Sequence, residues 1–369
     1  MRILVVSNQY APVVGGIEVL LRQLCPALAA RGHDVSVLTS THTLARDEVS
    51  EIDGITVHRV NLVRALTTRD PATLARAKRA TVRIVDEVAP DVIHAHDLGA
   101  NLWAVFESQP ATPVITTMHI GLASFPVDQK GSMARLLRRT TWLTGVSQAV
   151  VDQAVDLMPE LADRFSVIIN GLPPTPEPAP PDPKGRRIVA VGRLVDQKGF
   201  DVLLHAFPSV LEREPGAELL LVGDGPERAQ LEALVEDLGL GDAVRFHGAA
   251  RHEDVAGLLA SASVVAIPSR HEGMPLVALE AAAAGRAVVA TPVQGLGDVV
   301  VDGETGVLVP PEEPGPLADA LVELLSDPSR AAAYGANARA RAVERFSLDQ
   351  TVDAYEDLYR RFVRPELKV

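Results

Sequence analysis

Arg187-Ile188-Val189-Ala190-Val191-Gly192-Arg193-Leu194-Val195-Asp196-Gln197-Lys198-Gly199 decides how this chain folds. Arg187 to Val191 is an apolar run too short for a helix and reads as a buried strand. A glycine-bracketed loop follows and opens a helix. Strand, loop and helix in that order make the repeating unit of a parallel sheet with crossover helices. Just upstream, Gly171 to Gly185 holds seven prolines and no apolar periodicity, and reads as a stiff extended linker. Downstream the alternation continues, with strands predicted over 218–222, 244–247, 264–267 and 287–290. Upstream, strands are predicted over 2–7, 35–39, 55–60, 91–96, 114–118, 142–146 and 165–169. Ile17, Leu20, Leu21, Leu24 and Leu28 mark one helix face there, and Leu74, Ala77, Thr81, Ile84 and Val88 another. The reading is α/β throughout. Two doubly wound Rossmann-like domains, 1–170 and 186–347, are joined by a hinge over 171–185, with ligand expected in the cleft between them. A closing helix over 348–363 carries Val352, Tyr355, Leu358 and Tyr359 on one side.

Composition narrows the function classes. A chain of 369 residues is long for one core. Its net charge of −13 lacks the basic footprint of a nucleic-acid binder, so no nucleic-acid partner is expected. A single cysteine, Cys25, makes no internal disulfide and fits a cytoplasmic protein. No apolar run reaches the roughly 18 residues of a membrane span. Arg64, Arg69, Arg76, Lys78, Arg79 and Arg83 form one basic stretch, and Lys130, Arg135, Arg138 and Arg139 a second. Solvated helix faces explain them, with peripheral contact to an anionic membrane as the sharper alternative.

The chemistry is read at strand ends. In His271-Glu272-Gly273-Met274-Pro275-Leu276-Val277-Ala278-Leu279-Glu280-Ala281-Ala282-Ala283-Ala284-Gly285, two glutamates lie on a loop-to-helix junction. Pro275 suits the first helical position and Gly285 a left-handed cap. Glu280 is the only charge on an apolar helix, which is expected to be buried. No Lys or Arg lies within a turn of it, so its hydrogen-bond donor is distant in sequence or a ligand. Glu272 is expected at the open helix end, beside backbone N–H groups that attract anions. Arg193 and Lys198 suit a diphosphate, one as a fork and one as a point charge. Gly15 and Gly16 after the first strand allow close approach of a phosphate or sugar. Gly223 and Gly225 could wrap a ligand, but Arg228 occupies the third glycine position of a dinucleotide fingerprint. His119 ends a strand where it would line the cleft. His94 and His96 share one strand face. With Asp97 they make only a weak metal candidate, and no metal site is expected. No D-x-D occurs anywhere in the chain to hold a nucleotide-bound divalent ion.

In order and spacing these motifs resemble the retaining nucleotide-sugar glycosyltransferases of family 4, which have the GT-B fold. The carriers are Gly15-Gly16, Gly192-Arg193 with Lys198-Gly199, Gly223-Asp224-Gly225-Pro226-Glu227-Arg228, Glu272 through Glu280, and Asp302-Gly303-Glu304-Thr305-Gly306-Val307-Leu308-Val309. The resemblance implies transfer of a sugar from a UDP- or GDP-linked donor to an acceptor hydroxyl. The acceptor is a small molecule, a lipid or a glycan, and no further cofactor is implied. By that resemblance Glu280 takes the ribose hydroxyls and Glu272 holds the donor sugar. Arg193 and Lys198 clamp the diphosphate, helped by Gly16 and the Gly273-Met274-Leu276 backbone. His119 lies beside the sugar, and the closing helix crosses back onto the first domain. Two positions depart from the pattern. Pro173 stands where many relatives place an Asp, and Met274-Pro275 replaces Phe-Gly, removing one N–H. A nucleotide-sugar epimerase of the same fold and a non-catalytic sugar-nucleotide-binding protein are the rival readings. A dehydrogenase would need the missing glycine fingerprint.

Overall fold

The structure is a computed structural model that describes residues 1–13, 15–41, 48–62, 70–96, 98–108, 110–121, 131–182 and 184–363. Val14, Asp97, Arg64, Arg69 and Lys130 lie outside the described residues. The chain divides into two compact units, Met1–Asn170 with Leu348–Val369, and Gly171–Ser347.

The first unit is an eight-stranded sheet: β1 (Arg2–Ser7), β2 (Asp34–Ser40), β3 (Glu48–Ile52), β4 (Ile55–Val60), β5 (Val92–Ala95), β6 (Val114–Met118), β7 (Trp142–Gly145) and β8 (Phe165–Val167). Its order is β3-β4-β2-β1-β5-β6-β7-β8, parallel except for β3 against β4. Both faces are covered, which is why β1 reads as an unbroken apolar run. Ile3 and Val5 point to one face, with Leu21, Leu24, Val37 and the terminal helix (Leu348–Phe362). Leu4 and Val6 point to the other, with Leu38, Ile84, Ile93, Leu102 and Val105. The terminal helix buries Val352, Tyr355, Leu358 and Tyr359, each contributing about 2 kcal/mol or more by area.

Two strands were not expected. β3 is charged and polar at alternate positions, so it lacks a core-strand pattern. It is joined to β4 by Asp53-Gly54, both at positive φ (52° and 77°), with Ile52 paired to Ile55. This Asp-Gly pair is the two-residue hairpin signal.

The second unit is a six-stranded parallel sheet: β9 (Arg187–Val191), β10 (Glu218–Val222), β11 (Val244–Gly248), β12 (Val264–Ile267), β13 (Ala287–Ala290) and β14 (Gly306–Leu308). Strand β14, three residues long, is the other unexpected one. The order β11-β10-β9-β12-β13-β14 reverses at β9, which has β10 on one side and β12 on the other. In such sheets the crevice outside the strand ends at the reversal takes the ligand. The loops that border it follow β9 and β12. The proline-rich segment is tied to this unit rather than left loose. Arg286, 2% exposed, donates to the Ala179 carbonyl at 2.8 Å, and Arg339 donates to the Thr175 carbonyl at 3.1 Å.

Candidate active site

At the reversal of the second sheet the loops after β9 and β10 interlock through their backbones. Gly192 N–H donates to the Val222 carbonyl, Leu194 N–H to that of Asp224, and Glu227 N–H to that of Leu194, at 2.9, 2.9 and 3.1 Å. A Cβ on Gly223 would stand 1.8 Å from the Gly192 carbonyl oxygen, and one on Gly225 would stand 2.3 Å from that of Leu194. These two glycines, read from sequence as a possible ligand wrap, have a packing reason to be glycine. Gly199 is constrained twice. Its φ is +64°, and a Cβ would lie 2.1 Å from the Pro268 carbonyl oxygen. Gly295 is constrained in the same two ways, with φ +71° and a Cβ that would lie 1.6 Å from the Gly273 carbonyl oxygen.

Lys198 closes the short 3-10 turn Asp196–Lys198, ahead of the helix Phe200–Arg213. Its Nζ donates to Glu272 Oε1 at 2.6 Å. Ser269 Oγ donates to the same oxygen at 2.7 Å. Glu272 is therefore not open at the helix mouth, as the sequence suggested. Its side chain is 7% exposed, and one carboxylate oxygen is already held by a cation and a hydroxyl. Such charge-assisted bonds fix the carboxylate's direction. Arg193, five residues earlier, is exposed. Among the described residues no ion pair engages its guanidinium.

Arg270 staples the two loops. Its guanidinium donates to both Asp201 carboxylate oxygens at 2.8 Å, to the Asp196 carbonyl at 2.6 Å and to Glu312 Oε2 at 3.0 Å. Its own N–H donates to the Gln197 carbonyl at 2.8 Å, and Gln197 Nε2 returns a bond to the His271 carbonyl at 2.9 Å. The turn carrying Lys198 is thus welded to the loop carrying Glu272. The bidentate Arg270 guanidinium holds the Asp201 carboxyl below its ordinary range.

The helix that follows runs Leu276–Ala283, with Pro275 as N-cap rather than first helical residue. Gly285 takes the expected left-handed conformation, at φ +65°. Met274 and Leu276 are buried, as is every residue of the helix through Ala282 except Glu280. The Glu280 side chain is 14% exposed, with His252 Nδ1 3.3 Å from its Oε1. Burial pushes its carboxyl up to about 7. The distant polar partner of Glu280 is a histidine, at the start of the helix His252–Ala260. The site thus holds two carboxylates in different conditions, one in an ion pair with Lys198 and one kept weakly acidic by burial. Ser269, Arg270 and His252 are the residues that sequence reasoning missed. None stands at a patterned spacing, since each acts across loops brought together only by the sheet.

In the first unit, Gly15 is the N-cap of the helix Gly16–Ala30. A Cβ on Gly16 would meet nothing within 4 Å, so no protein contact fills that space. His119 follows β6 and is half-buried, while His94 on β5 and His96 just after it are fully buried. His96 Nδ1 lies 3.0 Å from His119 Nε2. Among the described residues, no group of three His, Cys, Asp or Glu could hold a metal ion. Of the basic stretches, Lys78 pairs with Glu107, Arg83 with Glu87 and Arg138 with Glu160. Among the described residues no helix is long and apolar enough to cross a membrane.

Comparison with known proteins meets this geometry. Residues 175–341 match the family model for glycosyl transferases group 1, and residues 14–176 that for Glycosyltransferase Family 4. A glycogen synthase of Mycobacterium tuberculosis is 31% identical over 99% of this chain and 96% of its own length. A D-inositol 3-phosphate glycosyltransferase of Frankia alni is 32% identical over 90% of this chain and 93% of its own. The solved sucrose-phosphate synthase of Thermosynechococcus elongatus superposes with a TM-score of 0.80 at 25% identity, covering 98% of this chain and 99% of that one. With two Rossmann-like α/β domains of the GT-B type and sequence similarity along its length, the chain belongs to family 4 of the glycosyltransferases, which transfer sugar from a nucleotide sugar.

Proposed function

We propose that this enzyme is a retaining hexosyltransferase that needs no metal ion. It would move a sugar from a UDP- or GDP-linked donor to an acceptor hydroxyl on a small molecule, lipid or glycan. The observation that carries the reading is the Lys198–Glu272 pair at the sheet reversal, with the unengaged Arg193 guanidinium on the same loop.

Negative charge on the diphosphate grows as the sugar–oxygen bond breaks. Arg193 and Lys198 meet that charge with fixed donors, and the first N–H groups of the helix at Leu276 add a partial positive charge. Two side-chain cations on one loop do the work a divalent ion does elsewhere, and the sequence has no D-x-D to hold one. Glu280, buried and without a strong partner, is suited to accept bonds from the two ribose hydroxyls, which would favour its charged form. Glu272, oriented by Lys198 and Ser269, would hold hydroxyls of the transferred sugar through its remaining oxygen. The departing phosphate oxygen takes the acceptor's proton on the face it leaves, which gives retention.

The test incubates the protein with radiolabelled UDP- and GDP-sugars and a panel of acceptors: a cyclitol, a phosphorylated inositol, a lipid and a glycan. A labelled glycoside is expected. An epimerised donor, or nucleotide binding with no turnover on any acceptor, would replace this reading with one of its two rivals. Calorimetry with bare nucleoside diphosphate then separates the glutamates. Glu280→Gln should lose affinity, and Glu272→Gln should keep affinity and lose transfer.

A further inference from the structure

Three histidines of the first unit form a connected row that the reaction described above does not use. His94 lies on β5 and His96 follows directly after its last residue, where its N–H still donates to the Val6 carbonyl at 2.8 Å, so the two share a face. They are 0% and 1% exposed. His94 Nδ1 lies 2.6 Å from the Tyr359 hydroxyl on the terminal helix, and its Nε2 lies 2.7 Å from Thr117 Oγ1. His96 Nε2 lies 3.2 Å from His94 Nδ1, and His96 Nδ1 lies 3.0 Å from His119 Nε2. The row ends at His119, whose Nδ1 has no hydrogen-bond partner among the described residues.

We propose that His96 is a positioning residue, which holds His119 as its Nε2–H tautomer and so presents the His119 Nδ1 lone pair to a substrate hydroxyl. This rests on the transferase reading only in supplying that hydroxyl. The argument runs from the far end of the row. All three rings are neutral, because burial pushes His94 down to about 3, His119 to about 4, and His96 well below its ordinary value. Each ring therefore carries one N–H and one lone pair. A phenol O–H is a stronger acid than an imidazole N–H, so at 2.6 Å Tyr359 donates and His94 Nδ1 accepts. His94 then carries its proton on Nε2 and donates to Thr117. His94 Nδ1 gives its one lone pair to Tyr359, and the His96 ring lies over His94 with centroids 4.0 Å apart. A bare His96 Nε2 would set its own lone pair against that electron-rich nitrogen at 3.2 Å, so His96 Nε2 bears the proton. His96 Nδ1 is consequently an acceptor, and only an N–H on His119 Nε2 can satisfy it. The His119 tautomer is set by a tyrosine on the terminal helix through two buried rings.

The test has two parts. The first reads ring nitrogen–proton correlations of ¹⁵N-labelled ligand-free protein, with the His119 signals identified by their loss in His119→Asn. Protonated and bare ring nitrogens resonate far apart. A proton on Nε2 is expected, and a proton on Nδ1 overturns the proposal. The second compares two replacements of His96. His96→Asn places an amide oxygen where Nδ1 stood, while His96→Leu fills the volume with no acceptor. His96→Leu should lower kcat roughly five- to tenfold with nucleoside-diphosphate affinity unchanged, and His96→Asn should recover most of it. If the leucine variant equals or exceeds the asparagine variant, His96 is there for packing and the proposal fails. The tautomer is read without turnover, so a protein that transfers no sugar would still answer the first part. Should either variant fail to fold, the wild-type tautomer alone decides.

Discussion

Glu280→Gln is expected to stabilise the ligand-free protein at pH 8 while weakening its hold on nucleotide. Burial raises the carboxyl from 4.5 to about 7, a shift equivalent to about 3 kcal/mol. The sign follows from proton uptake. Below the unfolded value near 4.5 both states hold the proton, and the group contributes nothing. Between 4.5 and about 7 the unfolded chain loses the proton and the folded chain keeps it, so stability falls as pH rises. Above about 7 the folded protein carries the whole penalty. Glutamine removes the titration but leaves an amide opposite His252, which offsets the gain by about 1 kcal/mol where its bonds are imperfect. The variant should therefore gain about 1 to 2 kcal/mol at pH 8 and little or nothing at pH 5. The assay is denaturant unfolding of both proteins at half-unit steps from pH 5 to 8. Only the difference between them is read, which cancels the titration of every other group. At pH 8, where the wild-type carboxylate is charged, the variant should bind nucleoside diphosphate about tenfold more weakly through loss of charge assistance, and the difference should shrink toward pH 5. A difference in stability that stays flat with pH, or a variant less stable at pH 8, would refute the buried-carboxylate argument.

Three further outcomes are expected. Arg193→Ala or Lys198→Ala should each reduce transfer about tenfold or more, because each supports charge that peaks in the transition state; wild-type turnover from both would remove the clamp. Activity should survive dialysis against a chelator; complete loss restored by a divalent ion would reject the metal-free mechanism. Arg270→Ala should lose about 1 to 2 kcal/mol, allowing for solvent at Asp201 and Glu312, and should lower transfer although Arg270 is not placed against the substrate. Arg270→Lys should not restore it, since one ammonium cannot reproduce the fork onto Asp201.

Much of the fold was legible because buried parallel strands read as unbroken apolar runs. The two strands that escaped did so for physical reasons. Glu48–Ile52 is an edge strand with exposed charges at Glu48 and Glu51, on opposite faces, so it shows no apolar alternation and is marked only by the Asp53-Gly54 turn that follows. Gly306–Leu308 is too short to show a period. At the site, residue types near strand ends were legible, but their partners were not. Lys198 and Glu272 are 74 positions apart in sequence and 2.6 Å apart in space. Nothing in either segment names the other. His252 and Glu280 meet likewise only because the helices bearing them follow β11 and β12. Glycines carry a packing constraint that their sequence does not show. Gly223 and Gly225 look like a ligand loop in sequence, yet the backbone that approaches them is the protein's own.

In the proposed reaction a sugar leaves its diphosphate at the Arg193–Lys198–Glu272 site and reaches an acceptor with its configuration kept. Proton NMR of the transfer reaction tests this most directly, run in the presence of a chelator and followed from the first turnover. The anomeric signal of the donor should decay as a product signal of the same anomeric configuration appears, with one nucleoside diphosphate released per glycoside formed. A product of inverted configuration, or a donor that changes its sugar without releasing nucleoside diphosphate, would contradict it.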